Sequence, residues 1–287
     1  VIYLIFSILF STLLFVIFKY FDIYKIDTLK AIVVNYLVAF GLGFGLSEIT
    51  FSFNEIPQKP WFFGAIILGA LFVAVFFVMA NTAQQNGVSV ASVAGKMSVV
   101  IPVVFGIILY DESVTYFKVI GVLIALISVY LASVKEEKST LNKAGLLFPI
   151  LLFFGSGIID TTLKYVEVNF VKNNEASLFS GSLFGFAAFF GLLILLIKTI
   201  QKREPFGLKN IIAGIVLGVP NYFTIVFIIK AMQKSGFESS TLFTINNVSV
   251  VVVSTIVGLL LFKEKFSLKN KIGVALAILG IVLVTIA

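Results

Sequence analysis

Gly106, Glu112, Gly121 and Val122 recur 152 residues later as Gly258, Glu264, Gly273 and Val274. Earlier matches fall at slightly smaller offsets: Gly87 with Gly236, and Lys19-Tyr20-Phe21-Asp22 with Lys164-Tyr165-Val166-Glu167. A duplicated unit with a few loop insertions accounts for the drift. Each copy holds five apolar stretches long enough for a bilayer core of about 30 Å, which takes roughly 20 helical residues. Their approximate limits are 2–18, 29–47, 61–80, 89–110 and 115–134, then 144–163, 176–197, 210–230, 240–262 and 269–287. Because five is odd, two such copies in tandem cross a membrane in opposite directions. The sequence therefore predicts an all-α membrane protein of ten transmembrane helices in two inverted five-helix repeats, residues 1–134 and 144–287, linked by the polar stretch from Lys135 to Lys143.

Composition agrees with that reading. Charged residues make up 12% of the chain, against about a quarter in a soluble domain. The period-two alternation of a lipid-exposed barrel is absent. The first segment has neither a basic leader nor a small-residue cleavage site and is expected to be retained as a helix. The net charge of +7 comes mostly from lysines between the apolar stretches. It fits orientation in, and attraction to, a lipid bilayer rather than nucleic-acid binding. Odd-numbered connections carry fourteen Lys/Arg and even-numbered ones six, which by itself places the odd connections in the cytoplasm and both termini outside.

Several reaction classes are closed by absence. With no Cys and no His, the chain lacks thiol nucleophiles, imidazole bases and the usual zinc ligands. It has no G-x-x-x-x-G-K-[ST] phosphate loop, and no cofactor is expected. A membrane-embedded enzyme would need convergent acids, bases or ligands at one depth, and none stand out. A receptor or scaffold without transport activity would more naturally carry soluble domains or long tails. Inverted repeats, by contrast, are an architecture of secondary transporters, which bind a small-molecule substrate near the midplane.

Polar residues inside the apolar stretches are the candidate substrate contacts. Lys96 lies about seven residues inside the fourth, roughly 10 Å deep at 1.5 Å per residue. A charge there needs a wet cavity or a partner, so Lys96 either faces substrate or pairs within the bundle. Asn35-Tyr36 interrupts the second stretch, Pro220-Asn221-Tyr222 the eighth and Asn246-Asn247 the ninth. Each amide is equally at home as a helix–helix hydrogen bond; together they suit a polar cavity with aromatic walls. Asp160 shares a helix face with Lys164, which the match to Lys19 places at a helix end. It reads as an interfacial ion pair or as a carboxylate that carries a proton during transport. Glu112 and Glu264 are expected to cap or pair in the turns after the fourth and ninth helices, and Trp61 to anchor at the interface. Small residues at Gly41-x-Gly43-x-Gly45, Gly64 with Gly69, Gly155 with Gly157, Gly181 with Gly185, and Gly273 with Gly280 allow close helix packing.

The half-ends running from Pro102 through Glu112 to Gly121, and from Ser254 through Glu264 to Gly273, resemble the EamA domain of the drug/metabolite transporter superfamily. That domain typically closes each half with an apolar helix, a short turn containing Glu and a Gly-bearing helix. The resemblance covers essentially the whole chain as two tandem domains, with Ser254 standing where the first half has Pro102. It implies a ten-helix secondary transporter in a bacterial inner membrane, often an exporter of amino acids or other small metabolites. Its cavity would be lined chiefly by helices 1–4 and 6–9. It also implies termini in the cytoplasm, opposite to the lysine count. Single cysteines at Lys138 and Ser267 separate the two. Labelling of both from the cytoplasmic side is expected if the lysine distribution governs; labelling from the outside means the family orientation holds.

Overall fold

The structure is a computed structural model and describes residues 2–46, 53–102, 104–105, 115–133, 143–172, 175–201, 206–234 and 239–286. Among these the chain forms ten α-helices: α1 (Ile2–Ile23), α2 (Thr28–Gly45), α3 (Phe62–Asn86), α4 (Val88–Met97), α5 (Tyr116–Ser133), α6 (Lys143–Phe170), α7 (Ala176–Gln201), α8 (Leu208–Lys234), α9 (Ser239–Leu260) and α10 (Leu268–Ile286). A short 3-10 helix, Phe53–Gln58, precedes α3. Six helices are long and apolar enough to cross a membrane: α1, α2, α3, α6, α7 and α8; apolar stretches at Val88–Pro102, Val119–Ala132 and Ile245–Leu260 are shorter. The protein is thus an all-α, multi-pass membrane bundle.

Helix limits differ from the apolar limits where polar chemistry intervenes. α3 continues through Asn81–Asn86, which reads as a connection by polarity. Thr82 turns its hydroxyl back onto the Val78 carbonyl, so a polar side chain is satisfied without leaving the helix. α6 likewise continues past Lys164 to Phe170, so Lys164 is not at the helix end. The fourth stretch, expected to be one helix, loosens at residues 98–99 and is helical again at 100–102 and 104–105. Pro102 has no N–H to offer the Ser98 carbonyl, which accepts instead from Ile101 N at 2.9 Å.

The chain divides into two compact units, each drawing on both halves of the sequence. The first comprises residues 1–20, 78–158 and 223–287. There α5 and α10 run antiparallel: Gly273 lies against Ala132, and seven residues on, Gly280 lies against Ala125. A Cβ on Gly273 would stand 2.5 Å from the Ala132 nitrogen. Ser267 caps α10, accepting from Asn270 N at 3.2 Å while Ser267 N donates to Asn270 Oδ1 at 3.1 Å, a capping box with Asn in the reciprocal role. The same Asn270 amide donates to the Leu131 and Ala132 carbonyls at 3.1 and 2.9 Å, closing the end of α5. α4 and α9 are also antiparallel, with Ser89 beside Gly258 and Ser92 bonded to Ser254.

The second unit comprises residues 21–77 and 159–222. Its seam is α2 against α7, again antiparallel: Gly43 meets Gly181, Phe40 meets Gly185 and Val33 meets Gly191. α8 packs on α2 where Gly214 and Gly218 admit Val34 and Val38. Asp27 caps α2, accepting from Leu29 N and Lys30 N at 3.1 Å each, and its own N–H donates to Asn210 Oδ1 at 3.0 Å.

The seams yield a paired prediction. Gly273→Ala forces a Cβ onto backbone that cannot yield, and should destabilise the protein by about 1–3 kcal/mol. Gly41→Ala, with nothing within 4 Å of its Cβ, should be neutral or stabilise by up to roughly 1 kcal/mol through helix propensity. Thermal unfolding of both variants in one detergent tests the contrast.

Candidate functional site

In the first unit the polar side chains converge from four helices. Asn246 of α9 accepts from the Ser7 hydroxyl of α1 at 3.2 Å, and both are buried. Asn247 is buried beside it. Ser92 of α4 accepts from Ser254 of α9 and donates to the Ser89 carbonyl at 2.9 Å. Lys96 sits one turn beyond Ser92, half-buried in the last turn of α4. The antiparallel register puts Lys96 about level with Val250 of α9, one turn from Asn246 and Asn247. A Cβ on the neighbouring Gly95 would stand 3.9 Å from the Phe15 ring of α1 and 4.0 Å from Ser156 Oγ of α6. The buried Thr12 hydroxyl of α1 has no partner among the described residues. Lys96 stands in the last turn before the two-residue interruption at 98–99, after which the chain is helical again from Val100.

The second unit gathers the other predicted residues. Asn221 Nδ2 donates to Asn35 Oδ1 at 3.1 Å, joining α8 to α2 just past Pro220. Both amides are buried, and Asn35 Nδ2 has no acceptor among the described residues. Native interiors seldom leave such a donor unmatched. Tyr36 is fully buried; its hydroxyl donates to the Phe72 carbonyl of α3 at 2.9 Å, and its ring stacks on Phe184 of α7. Tyr222 is buried next to Asn221. Asp160 is exposed on α6, near the end of the apolar stretch Leu146–Leu163. So Asn35 and Asn221 are joined directly, each with a buried tyrosine next to it in sequence, while helix register alone places Lys96 about one turn from the level of Asn246 and Asn247.

Sequence reasoning missed the polar centre of the second unit. Glu175 precedes α7, yet its carboxylate turns to the start of α3. It accepts from Lys59 Nζ at 2.9 Å and from the Trp61 indole at 3.0 Å. Trp61 is fully buried there, its indole turned into the protein. Burial pushes the Glu175 carboxyl up, but the bonds from Lys59 and Trp61, with the charges of Lys59 and Lys172, outweigh it and hold the group below the usual carboxylate range. The bond to Glu175 raises the Lys59 ammonium above its usual value, against a smaller opposing effect of burial. In the sequence Glu175 stands close after Lys172 in a polar connection, where it reads as an ordinary solvated charge. Nothing local points it at a tryptophan 114 residues away. Glu264 does cap, as expected, though it caps α4 rather than its own helix; Glu112 lies outside the described residues.

Long apolar helices joined by close-packed glycines, with buried amides among them, the buried Lys30 of α2 and the half-buried Lys96 of α4, define a polytopic membrane protein with polar residues in its interior. The chain belongs to the EamA-like transporter family, which matches residues 1–134 and 143–286. It is 30% identical over 287 residues to an uncharacterised protein of Haemophilus influenzae, covering 97% of this chain and 95% of that protein. The fold is similar to that of a protein known from a crystal structure, with TM-score 0.60 at 14% identity over 99% of this chain and 96% of that one. The family is one of transporters, not enzymes, and among the described residues no three His, Cys, Asp or Glu side chains are placed to hold a metal ion.

The Glu175 bridge predicts a pH dependence. A lowered carboxyl pKa contributes stability above the ordinary carboxylate range, lost as pH falls through the lowered value; a raised lysine pKa contributes below the ordinary lysine range, lost as pH rises through the raised one. Glu175→Gln should therefore lower the melting temperature at neutral pH, with the difference from wild type closing below about pH 4. Melting curves of the two proteins across the acid range check this.

Proposed function

We propose that the protein is a secondary carrier that moves a small metabolite, an amino acid or related organic solute, across a bacterial inner membrane by alternating access, with export as its direction. In this reading ten spans form two inverted repeats, 1–134 and 144–287, each an EamA domain. One observation carries it: α2 with α7, α4 with α9 and α5 with α10 each pack antiparallel, and each pair joins a helix to its counterpart five helices later. Two repeats of an odd number of helices, related by a two-fold axis in the membrane plane, run each helix antiparallel to its counterpart, and these three pairs fit that relation.

Lys96 is the residue chosen to meet the substrate, its ammonium attracting a carboxylate. Asn246 and Asn247 in the same unit offer donors and acceptors to the rest of a polar solute. Asn35, whose amide keeps a donor to spare, joins Tyr36, Asn221 and Tyr222 as the second group of contacts. Asp160, exposed near the end of an apolar stretch, is the residue assigned to proton coupling, since an ionisable carboxylate at that depth must reach water or a partner.

Purified protein in proteoliposomes should exchange at least one labelled amino acid or related carboxylate against its unlabelled form. Lys96→Met should reduce that exchange roughly tenfold or more, the cost of a lost charge-assisted bond, with expression and melting temperature unchanged. Exchange of the transported carboxylate at the wild-type rate removes Lys96 from the site. Absence of exchange across the whole panel removes the carrier reading.

A further inference from the structure

α4 starts without a cap of its own. Gly87, the single residue between α3 and α4, has φ +110° and no side chain to offer the first N–H groups. The cap comes from Glu264, in the turn after α9. Its Oε1 accepts from Val88 N at 2.6 Å; its Oε2 accepts from Ser89 Oγ at 3.0 Å and, more weakly, from Ser89 N at 3.4 Å. The surroundings are cut to fit the carboxylate. A Cβ on Gly87 would stand 2.7 Å from Glu264 Oε1, and one on Gly258 would stand 2.5 Å from Oε2. Lys263 takes a left-handed φ of +51° so that the chain can turn, and Glu264 N donates back to the Gly258 carbonyl at 3.0 Å. A negative group at a helix N-terminus is favoured both by the free N–H groups and by the helix dipole.

A cap supplied by the helix itself travels with the helix. One supplied from a neighbouring element must break when the two elements separate. We propose that Glu264 is the positioning residue of α4: a releasable latch that holds α4 against α9, and with it Lys96, in the arrangement seen here. Lys96 lies nine residues from Gly87, about 13 Å along the helix, so the latch fixes the depth and direction of the ammonium without touching it. One turn beyond the latch, the α4–α9 seam is held by the Ser92–Ser254 bond between two small side chains. The N–H groups freed on release lie at the start of the helix, where water replaces the carboxylate. The consequence for Lys96 rests on the carrier reading above; the latch does not.

The chain has no native Cys, so a reporter cysteine reads the latch directly. Val88 is fully buried, and Val88→Cys keeps the backbone N–H. In detergent-purified protein, Glu264→Ala should raise the alkylation rate of that cysteine about tenfold, the change expected for a lost helix cap. Glu264→Gln keeps an acceptor oxygen without the charge and should give an intermediate rise. Ser89→Ala should add little once Glu264 is gone, because the two share one bond network. A second reporter, Val129→Cys in α5, should not respond. An unchanged rate at position 88, or an equal rise at both reporters, overturns the latch. If labelling responds as stated while Lys96→Met leaves proteoliposome exchange intact, the latch stands and only the role given to Lys96 falls.

Discussion

Hydrocarbon offers no hydrogen bonds, so the backbone groups of this chain must be matched by another part of the chain or by water. Within a helix the backbone does this for itself. At helix ends it cannot, and there the structure enlists side chains from elsewhere. Asn270 serves two ends at once, completing the box at the start of α10 and taking the last carbonyls of α5. Asn210 of α8 holds the N–H of Asp27, which itself caps α2. Glu175 precedes α7 but binds the indole and ammonium at the start of α3. In each case the group that ends one helix fixes the position of another, so capping and tertiary packing are a single set of bonds.

Between the ends, shape takes over. Lipid tails are as apolar as leucine, and helices gain little by hiding from them; they gain by approaching closely. Gly43 with Gly181 and Gly273 with Ala132 bring backbones together where any side chain would hold them apart. Large aromatics fill what the glycines leave, as when Phe40 and Phe44 cover Gly185 and Gly181. The polar residues of the interior then occupy positions set by these seams. Ser92 faces Ser254 because Ser89 faces Gly258 a turn earlier.

Much of the fold was legible because hydropathy over 20 residues reports burial in lipid directly. The starts of α2, α5 and α10 fall within one residue of the apolar limits at 29, 115 and 269. The lengths of α3 and α6 were not legible, since Asn81–Asn86 and Lys164–Phe170 are polar yet helical; polarity marks the membrane surface, not the end of a helix. Pro102 was visible, but its effect depends on which carbonyl it leaves behind, a local matter that a hydropathy window averages away. The amides were found as interruptions of apolar runs, and Asn35 with Asn221 is a case where two such interruptions meet. Glu175 escaped for the opposite reason. It stands among other polar residues in a connection, where a charge looks ordinary, and only the folded chain brings Trp61 and Lys59 to it.

Gly87 has one more consequence. With Asn86 closing α3 and Val88 opening α4, the two rods share a swivel one residue long, and nothing between them absorbs a torsion. A rotation of about 15° at that point swings the far end of α4, some 13 Å away, through roughly 3–4 Å. The leverage is mechanical gain: a small angular change at the rim becomes a displacement the width of an atom pair at the lysine.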